Sequence, residues 1–256
     1  MQLLILVLLP AAFLLPPAAQ AGEIIGGREA RPHSRPYMVF VNIEAGGGGG
    51  DRCGGFLIRE DVVVTAAHCN CNCNITVLLG AHNIAIGEPG RQEILVRRQI
   101  PHPDYNDETD ENDIMLLQLE KKAKLNHDVN LIPLAYAPVA PKTMCCVTGW
   151  GRASTRIEVP SDMLREVDVE VMPDTDCPRI RNGPYRYYNP STMLCAGDPH
   201  EGKSSFQGDS GGPLVCRGKA HGIVSFGPMN GIPPWVYTRV SSFSLWIQKT
   251  MKNLQP

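Results

Sequence analysis

The apolar runs of this 256-residue chain are short and closed off by turn-forming residues, which limits the fold more than any other feature. Residues 37–43, 55–58, 62–66, 94–96, 114–119 and 222–226 are the clearest of them. Their length suits strands and not helices. Val167, Asp168, Val169, Glu170 and Val171 alternate strictly, so three valines share one face of a half-buried strand. Many short strands at close spacing predict an all-β barrel or sandwich architecture. Only the C-terminus has helical spacing, at Phe243, Trp246, Ile247 and Met251. The five-glycine run at 46–50 is read as a mobile surface loop, since strand-like sequence flanks it on both sides.

Residues 1–21 carry no charged side chain, are rich in Leu and Ala, and end in Ala19-Gln20-Ala21. This is the pattern of a secretory signal peptide with a small-x-small cleavage site. The competing reading, a retained membrane anchor, is weakened by Pro10, Pro16 and Pro17. Cleavage after Ala21 leaves the dipeptide Gly22-Glu23 ahead of Ile24.

A formal charge of −2 gives no reason to expect a nucleic-acid or polyanion partner. The clusters Arg97-Arg98 and Lys121-Lys122-Ala123-Lys124 read as solvated faces. Asn74-Ile75-Thr76 is a glycosylation sequon, whereas Asn189-Pro190-Ser191 is blocked by its proline.

Three segments carry chemistry: Thr65-Ala66-Ala67-His68-Cys69, Asn112-Asp113-Ile114 and Gly208-Asp209-Ser210-Gly211-Gly212-Pro213. Singly, each has a plain structural explanation: a buried histidine, a turn aspartate, a serine among turn glycines. Together they supply a base, an orienting carboxylate and a nucleophile. A serine hydroxyl is a weak nucleophile at neutral pH, so an imidazole must take its proton. A buried carboxylate then fixes the imidazole tautomer and stabilises the imidazolium. The chain order His68, Asp113, Ser210 is that of the chymotrypsin triad.

With Ile24-Ile25-Gly26-Gly27, Gly149-Trp150-Gly151 and Ser225-Phe226-Gly227, these segments make everything after residue 23 resemble a chymotrypsin-fold serine protease. The stretches 31–37, 79–83 and 112–119 resemble the leukocyte and mast-cell granule subgroup of cathepsin G, chymase and the granzymes, with cathepsin G the nearest in pattern. The resemblance implies two six-stranded antiparallel β-barrels and a C-terminal α-helix over residues 24–256. His68 and Asp113 would lie on the first barrel, Ser210 on the second, and the site between them.

It further implies that the amides of Gly208 and Ser210 form the oxyanion hole and that Ser225 hydrogen-bonds Asp113. A dipeptidyl peptidase would remove residues 22–23, and the freed ammonium of Ile24 would pair with Asp209 to order the oxyanion loop. The implied pocket has Ser204 at its floor, Ser205 beside it, Gln207 at the lip, and Phe226 and Gly227 along a wall. Trp235 stands where its side chain either enters the pocket base or turns outward. The uncharged floor implies cleavage after apolar residues, and a Trp235 turned inward would favour Ala, Val or Leu over Phe and Tyr. Asp110 lines the neighbouring subsite. The implied disulfides are Cys53 with Cys69, Cys145 with Cys216, and Cys177 with Cys195.

Of nine cysteines, Cys71, Cys73 and Cys146 remain over, and an odd count leaves at least one unpaired. Alternating thiolates beside an imidazole at 68–73 resemble zinc ligands, but a surface loop prone to disulfide shuffling is the plainer reading. Neither metal nor organic cofactor is implied, and Ala81 and Pro234 stand where calcium- and sodium-binding relatives differ. Protein and peptide substrates, serpin-type inhibitors, a monomeric state and a secreted or granule location follow from the family. The rival is a catalytically silent homologue acting as an antimicrobial or chemotactic binding protein.

Overall fold

The computed structural model describes residues 26–44, 51–154, 157–177 and 184–254. The signal segment 1–21, the dipeptide 22–23, Ile24 and the glycine run 46–50 lie outside the described residues.

The first strand, β1 (Arg28–Glu29), joins a sheet built mostly from the second half of the chain. The next six, β2 (Met38–Ile43), β3 (Asp51–Arg59), β4 (Val62–Thr65), β5 (Ile75–Leu79), β6 (Gln92–Pro101) and β7 (Met115–Leu119), close into a barrel in the order β2-β3-β4-β7-β6-β5. Closure leaves no edge to pair with a foreign strand. Val39, Val41 and Ile43 of β2 face the barrel core, while Met38 and Phe40 on its other face pack with Trp150. The Phe40 and Trp150 rings meet edge to face at 5.7 Å. With both faces covered, these strands read as unbroken apolar runs in the sequence.

A hairpin, β9 (Arg152–Ser154) with β10 (Ile157–Pro160), follows β8 (Met144–Gly149). The other strands are β11 (Arg165–Glu170), β12 (Met193–Ala196), β13 (Pro213–Cys216), β14 (Lys219–Phe226) and β15 (Trp235–Arg239). With β1 and β8 they form a seven-stranded sheet in the order β1-β11-β8-β13-β14-β15-β12. The alternating valines 167, 169 and 171 are each at most 3% exposed and sit in its core. Full burial of each contributes about 1.5–3 kcal/mol.

The second barrel differs from the expected six strands in two ways. β1 adds a seventh at its outer edge, and the ring from β11 to β12 closes only through the bridge Val171 to Ala196. Two further bonds flank that bridge, Met172 N–H to the Cys195 carbonyl and Gly197 N–H to the Glu170 carbonyl, each at 2.9 Å. Arg28 and Arg35 both reach Glu166 of β11 at 2.9 Å, fastening the N-terminal segment to this sheet.

The helix α1 (Ser244–Asn253) follows a 3-10 turn and presents Ile247 to the core of the first barrel, with Phe243 and Leu254 beside it. Arg59 of β3 donates to the carbonyls of Met251 (2.8 Å) and Leu254 (3.4 Å) while pairing with Asp61. The last helical carbonyl groups thus gain donors that the helix itself lacks.

Four disulfides are present among the described residues: Cys53–Cys69, Cys145–Cys216, Cys177–Cys195 and Cys71–Cys73. Cys145–Cys216, 71 residues apart, constrains the unfolded chain most, by about 4 kcal/mol on a loop-entropy account. On the same account Cys71–Cys73, with a separation of 2, contributes about 1.5 kcal/mol. The alternating-thiolate zinc reading is thereby corrected, because sulfurs bonded to each other offer no thiolate. Cys146 is unpaired, and burial pushes its thiol pKa up.

Candidate active site

β4 runs from the barrel core into a single 3-10 turn, Ala67–Cys69, which presents His68 at the surface of a cleft. The Cys53–Cys69 bridge ties this turn back to β3. His68 Nδ1 lies 2.7 Å from Asp113 Oδ2, and the His68 backbone N–H donates to Oδ1 at 2.9 Å. Two contacts on one carboxylate fix both the ring and the backbone that carries it.

Asp113 itself is fully buried at the entry to β7. The chain reaches it through Asp110 and Asn112, whose φ angles of 53° and 58° are left-handed values that Asp and Asn tolerate best. Asn112 Nδ2 donates to the Asp104 carbonyl at 2.8 Å, holding that turn. From the second sheet, Ser225 Oγ donates to Asp113 Oδ2 at 2.5 Å and Thr238 Oγ1 donates to the Asp113 carbonyl at 2.7 Å. The two barrels therefore meet at this residue.

Burial works to raise the Asp113 pKa, but His68, Ser225 and the His68 amide outweigh it and hold the group below the usual carboxylate range. For His68, burial works to lower the pKa. The Asp113 charge and hydrogen bond, then Asp110 and Asp51, overcome it and leave the imidazole raised above 6.5.

Ser210 is half-buried in the turn that precedes β13. Its carbonyl accepts from Gly54 N–H of β3 at 2.7 Å, so the first barrel also positions the serine backbone. His68, Gly208 and Ser210 line one cleft of about 720 Å³ with Arg52, Cys71, Asn72, Cys73 and Arg152. Gly208 has φ +97°, and a Cβ there would stand 2.9 Å from Gly151 Cα, so only glycine fits. Between them, Asp209 is fully buried and accepts from Gly151 N–H at 2.8 Å and Phe206 N–H at 2.9 Å. Burial pushes its pKa up to about 7 against the pull of those two amides.

Ser204 and Ser205 are fully buried; Ser204 Oγ donates to the Gly231 carbonyl at 3.2 Å and Ser205 Oγ lies 3.0 Å from Tyr237 Oη. Gln207 is half-buried at the rim, and Phe226 is half-buried against the cluster around Cys177 and Tyr185. Trp235, 5% exposed, meets Phe206 edge to face at 6.1 Å. A Cβ on Gly227 would fall 2.4 Å from the Trp235 indole carbons Cδ2 and Cε2. The indole therefore packs against Gly227 while belonging to the apolar core cluster of the second sheet with Phe206, Val224 and Tyr237. Its Nε1 is buried without a hydrogen-bond partner among the described residues.

His68, Asp110 and Asp113 place ligand-type atoms within 4.8 Å of one another. Asp113 and His68 there already bond each other and their scaffold. The Asn74 sequon asparagine is exposed at the edge of β5. Thr238, Gly54, Arg52 and Arg152 gave no signal in the sequence, since their parts depend on pairing between strands far apart in the chain.

Residues 24–247 match the family model described as Trypsin. Cathepsin G of Homo sapiens is 52% identical over 257 residues, covering 100% of this chain and 96% of that protein. Mast cell protease 3 of Ovis aries is 54% identical, covering 94% of each, and granzyme B of Homo sapiens is 52% identical, covering 96% and 98%. A solved structure described as that of GrC superposes with a TM-score of 0.84 at 46% identity, covering 90% of this chain and 100% of its own. The chain belongs to the trypsin family, the serine proteases that hydrolyse peptide bonds.

Proposed function

We propose that the chain is an endopeptidase that cuts after small apolar residues, with Ser210 as nucleophile, His68 as base and Asp113 as its orienting carboxylate. The observation that carries the triad is the Asp113 carboxylate, which bonds the ring and backbone of His68 and receives Ser225. Ser210 attacks the scissile carbonyl as His68 takes its proton. The imidazolium then protonates the leaving amine, and water hydrolyses the acyl-enzyme by the reverse proton path. The amides of Gly208 and Ser210 receive the oxyanion, a donor of this kind being worth about 10²–10³ in rate.

The preference for small side chains rests on Trp235. An indole against Gly227 would narrow the pocket toward Ala, Val or Leu, and the buried, uncharged Ser204 and Ser205 offer no partner to Lys or Arg. Trp235→Ala is expected to raise kcat/KM for a Phe p-nitroanilide relative to the Ala one by about 10²-fold, a few kcal/mol of pocket filling. An unchanged ratio would remove Trp235 from the pocket.

His68 must be neutral to act, so kcat/KM rises with pH through an imidazole pKa lying above 6.5. Because Asp110 contributes to that elevation, Asp110→Asn should move the acid limb of the profile to lower pH. A limb that stays in place would show that Asp110 is screened.

Secretion into a granule, a two-residue propeptide removed by a dipeptidyl peptidase, serpin-type inhibitors and a monomeric enzyme complete this reading. The start of the family match at Ile24 and the granule proteases among the relatives support it. A peptide-library cleavage assay on the processed chain, with organophosphonate labelling that disappears in Ser210→Ala, tests it directly. Folded protein that neither cleaves nor labels would favour the silent-homologue alternative.

A further inference from the structure

We propose that the Cys71–Cys73 disulfide is a thiol–disulfide exchange site, which takes an anionic low-molecular-weight thiol of the glutathione class at the leaving-group end of the cleft. Cys71, Asn72 and Cys73 line the cleft that also holds His68 and Ser210. Of the residues assigned to the primary pocket, only Gln207 at its lip lines this cleft, and Ser204, Ser205, Phe226, Gly227 and Trp235 do not. The acyl half of a substrate occupies the pocket built by those residues. The arm walled by Cys71 and Cys73 is thus where the leaving half lies.

Access separates this bridge from the others. Both its cysteines are half-buried, whereas Cys53, Cys69, Cys145, Cys216, Cys177 and Cys195 are all at most 5% exposed. With one residue between its sulfurs, it also closes the smallest loop and constrains the unfolded chain least. Exposed and weakly supported bridges are the ones open to exchange.

The loop does not need the bridge to keep its shape. Gln99 of β6 accepts from the Cys71 N–H at 3.1 Å and donates through Nε2 to the Cys73 carbonyl at 2.9 Å, clamping both ends. Arg52 and Arg152 line the same cleft, against a single carboxylate, Asp51. A thiol that carries carboxylates finds cationic donors there.

In the exchange, the incoming thiolate attacks one Sγ as the Cys71–Cys73 S–S bond breaks. A mixed disulfide forms, and the displaced Sγ leaves as a thiolate that takes a proton from water. A second thiol reverses the adduct to the free dithiol and releases the oxidised thiol dimer. The adduct fills the leaving-group arm, so on the protease reading above it obstructs substrates that extend past the cut.

The processed protein, treated with reduced glutathione, quenched, alkylated and mapped by mass spectrometry, should carry one glutathione on Cys71 or Cys73. The other of the two should be alkylated while the remaining three bridges stay closed. If Cys71 and Cys73 resist until those bridges open, the proposal is overturned. Cysteamine, a cationic thiol, should react several-fold more slowly, and Arg152→Gln should narrow the gap. Equal rates would overturn the anion preference. Both readouts are independent of catalysis, so they stand or fall apart from the protease reading. On activity, glutathionylation should lower kcat/KM several-fold for a peptide with three residues after the cut and leave a p-nitroanilide unchanged. Equal loss on both substrates would overturn the placement, and Cys71→Ser with Cys73→Ser should abolish the response.

Discussion

Ser210→Ala is expected to lower kcat by about 10⁶-fold with little change in KM, as removal of the nucleophile does where a triad acts as a unit. The serine is half-buried and its carbonyl is held by Gly54, so losing one oxygen leaves the turn in place. Substrate binding depends on the pocket and the cleft and should survive. Asp113→Asn should cost less, about 10⁴-fold, because the ring stays in place in the wrong tautomer. The comparison needs only protein concentrations from absorbance and steady-state rates on one peptide substrate. If Ser210→Ala kept more than a hundredth of the activity, another nucleophile would be at work. Ser225 is a poor candidate, because its hydroxyl is buried and committed to Asp113.

The chain that retains Gly22-Glu23 is expected to be about 10³-fold less active than the form beginning at Ile24. This is what losing an oxyanion donor costs. Asp209, which lies between the two proposed donors, couples processing to them. Burial raises its pKa from 3.8 to about 7, so near neutral pH the carboxylate is poorly compensated by two amides alone. An ammonium delivered to it would restore the charged form and fix the loop.

The sign of the accompanying stability change follows from proton linkage. Between pH 4 and 7 the folded unprocessed chain holds a proton that the unfolded chain has lost. Its stability therefore falls as pH rises through this window, by about 4 kcal/mol in all. The processed chain should lose far less, since pairing with the terminal amine pulls the folded pKa back down. Thermal unfolding of both forms across that range, on the Ser210→Ala background to prevent self-digestion, reads the difference. Identical pH slopes would show that Asp209 gains no charged partner on processing.

The triad segments were legible because each lies within a few residues of local sequence. The short apolar runs were legible for a similar reason, since β2, β4 and β7 bury nearly every residue and so carry continuous apolar stretches. β1 was not legible: two exposed residues pair with β11 through backbone bonds, which leave no mark on residue type. The near-open seam at Val171 and Ala196 escaped for the same reason. Thr238 supports Asp113 from 125 positions away, a contact that exists only once β15 is beside β7. The packing of Trp235 on Phe206 and Gly227 left no mark in the sequence, because it joins residues distant along the chain. The pairing of Cys71 with Cys73 was hidden by the odd cysteine count, which allowed several partners for each.

The pairing of β1 with β11 also controls where a newly cut N-terminus can travel. Arg28 is anchored to Glu166 four positions after Ile24, and a stretched chain spans at most ~3.6 Å per residue, so the freed end can lie no farther than about 15 Å from its anchor. One molecule confined to a sphere of that radius corresponds to an effective concentration of about 0.1 M, which a dipeptide added in solution would have to match. On the proposed activation, capture of the new end by Asp209 would be local, and slackening the leash, as in Glu166→Ala, should weaken it without touching any reacting atom.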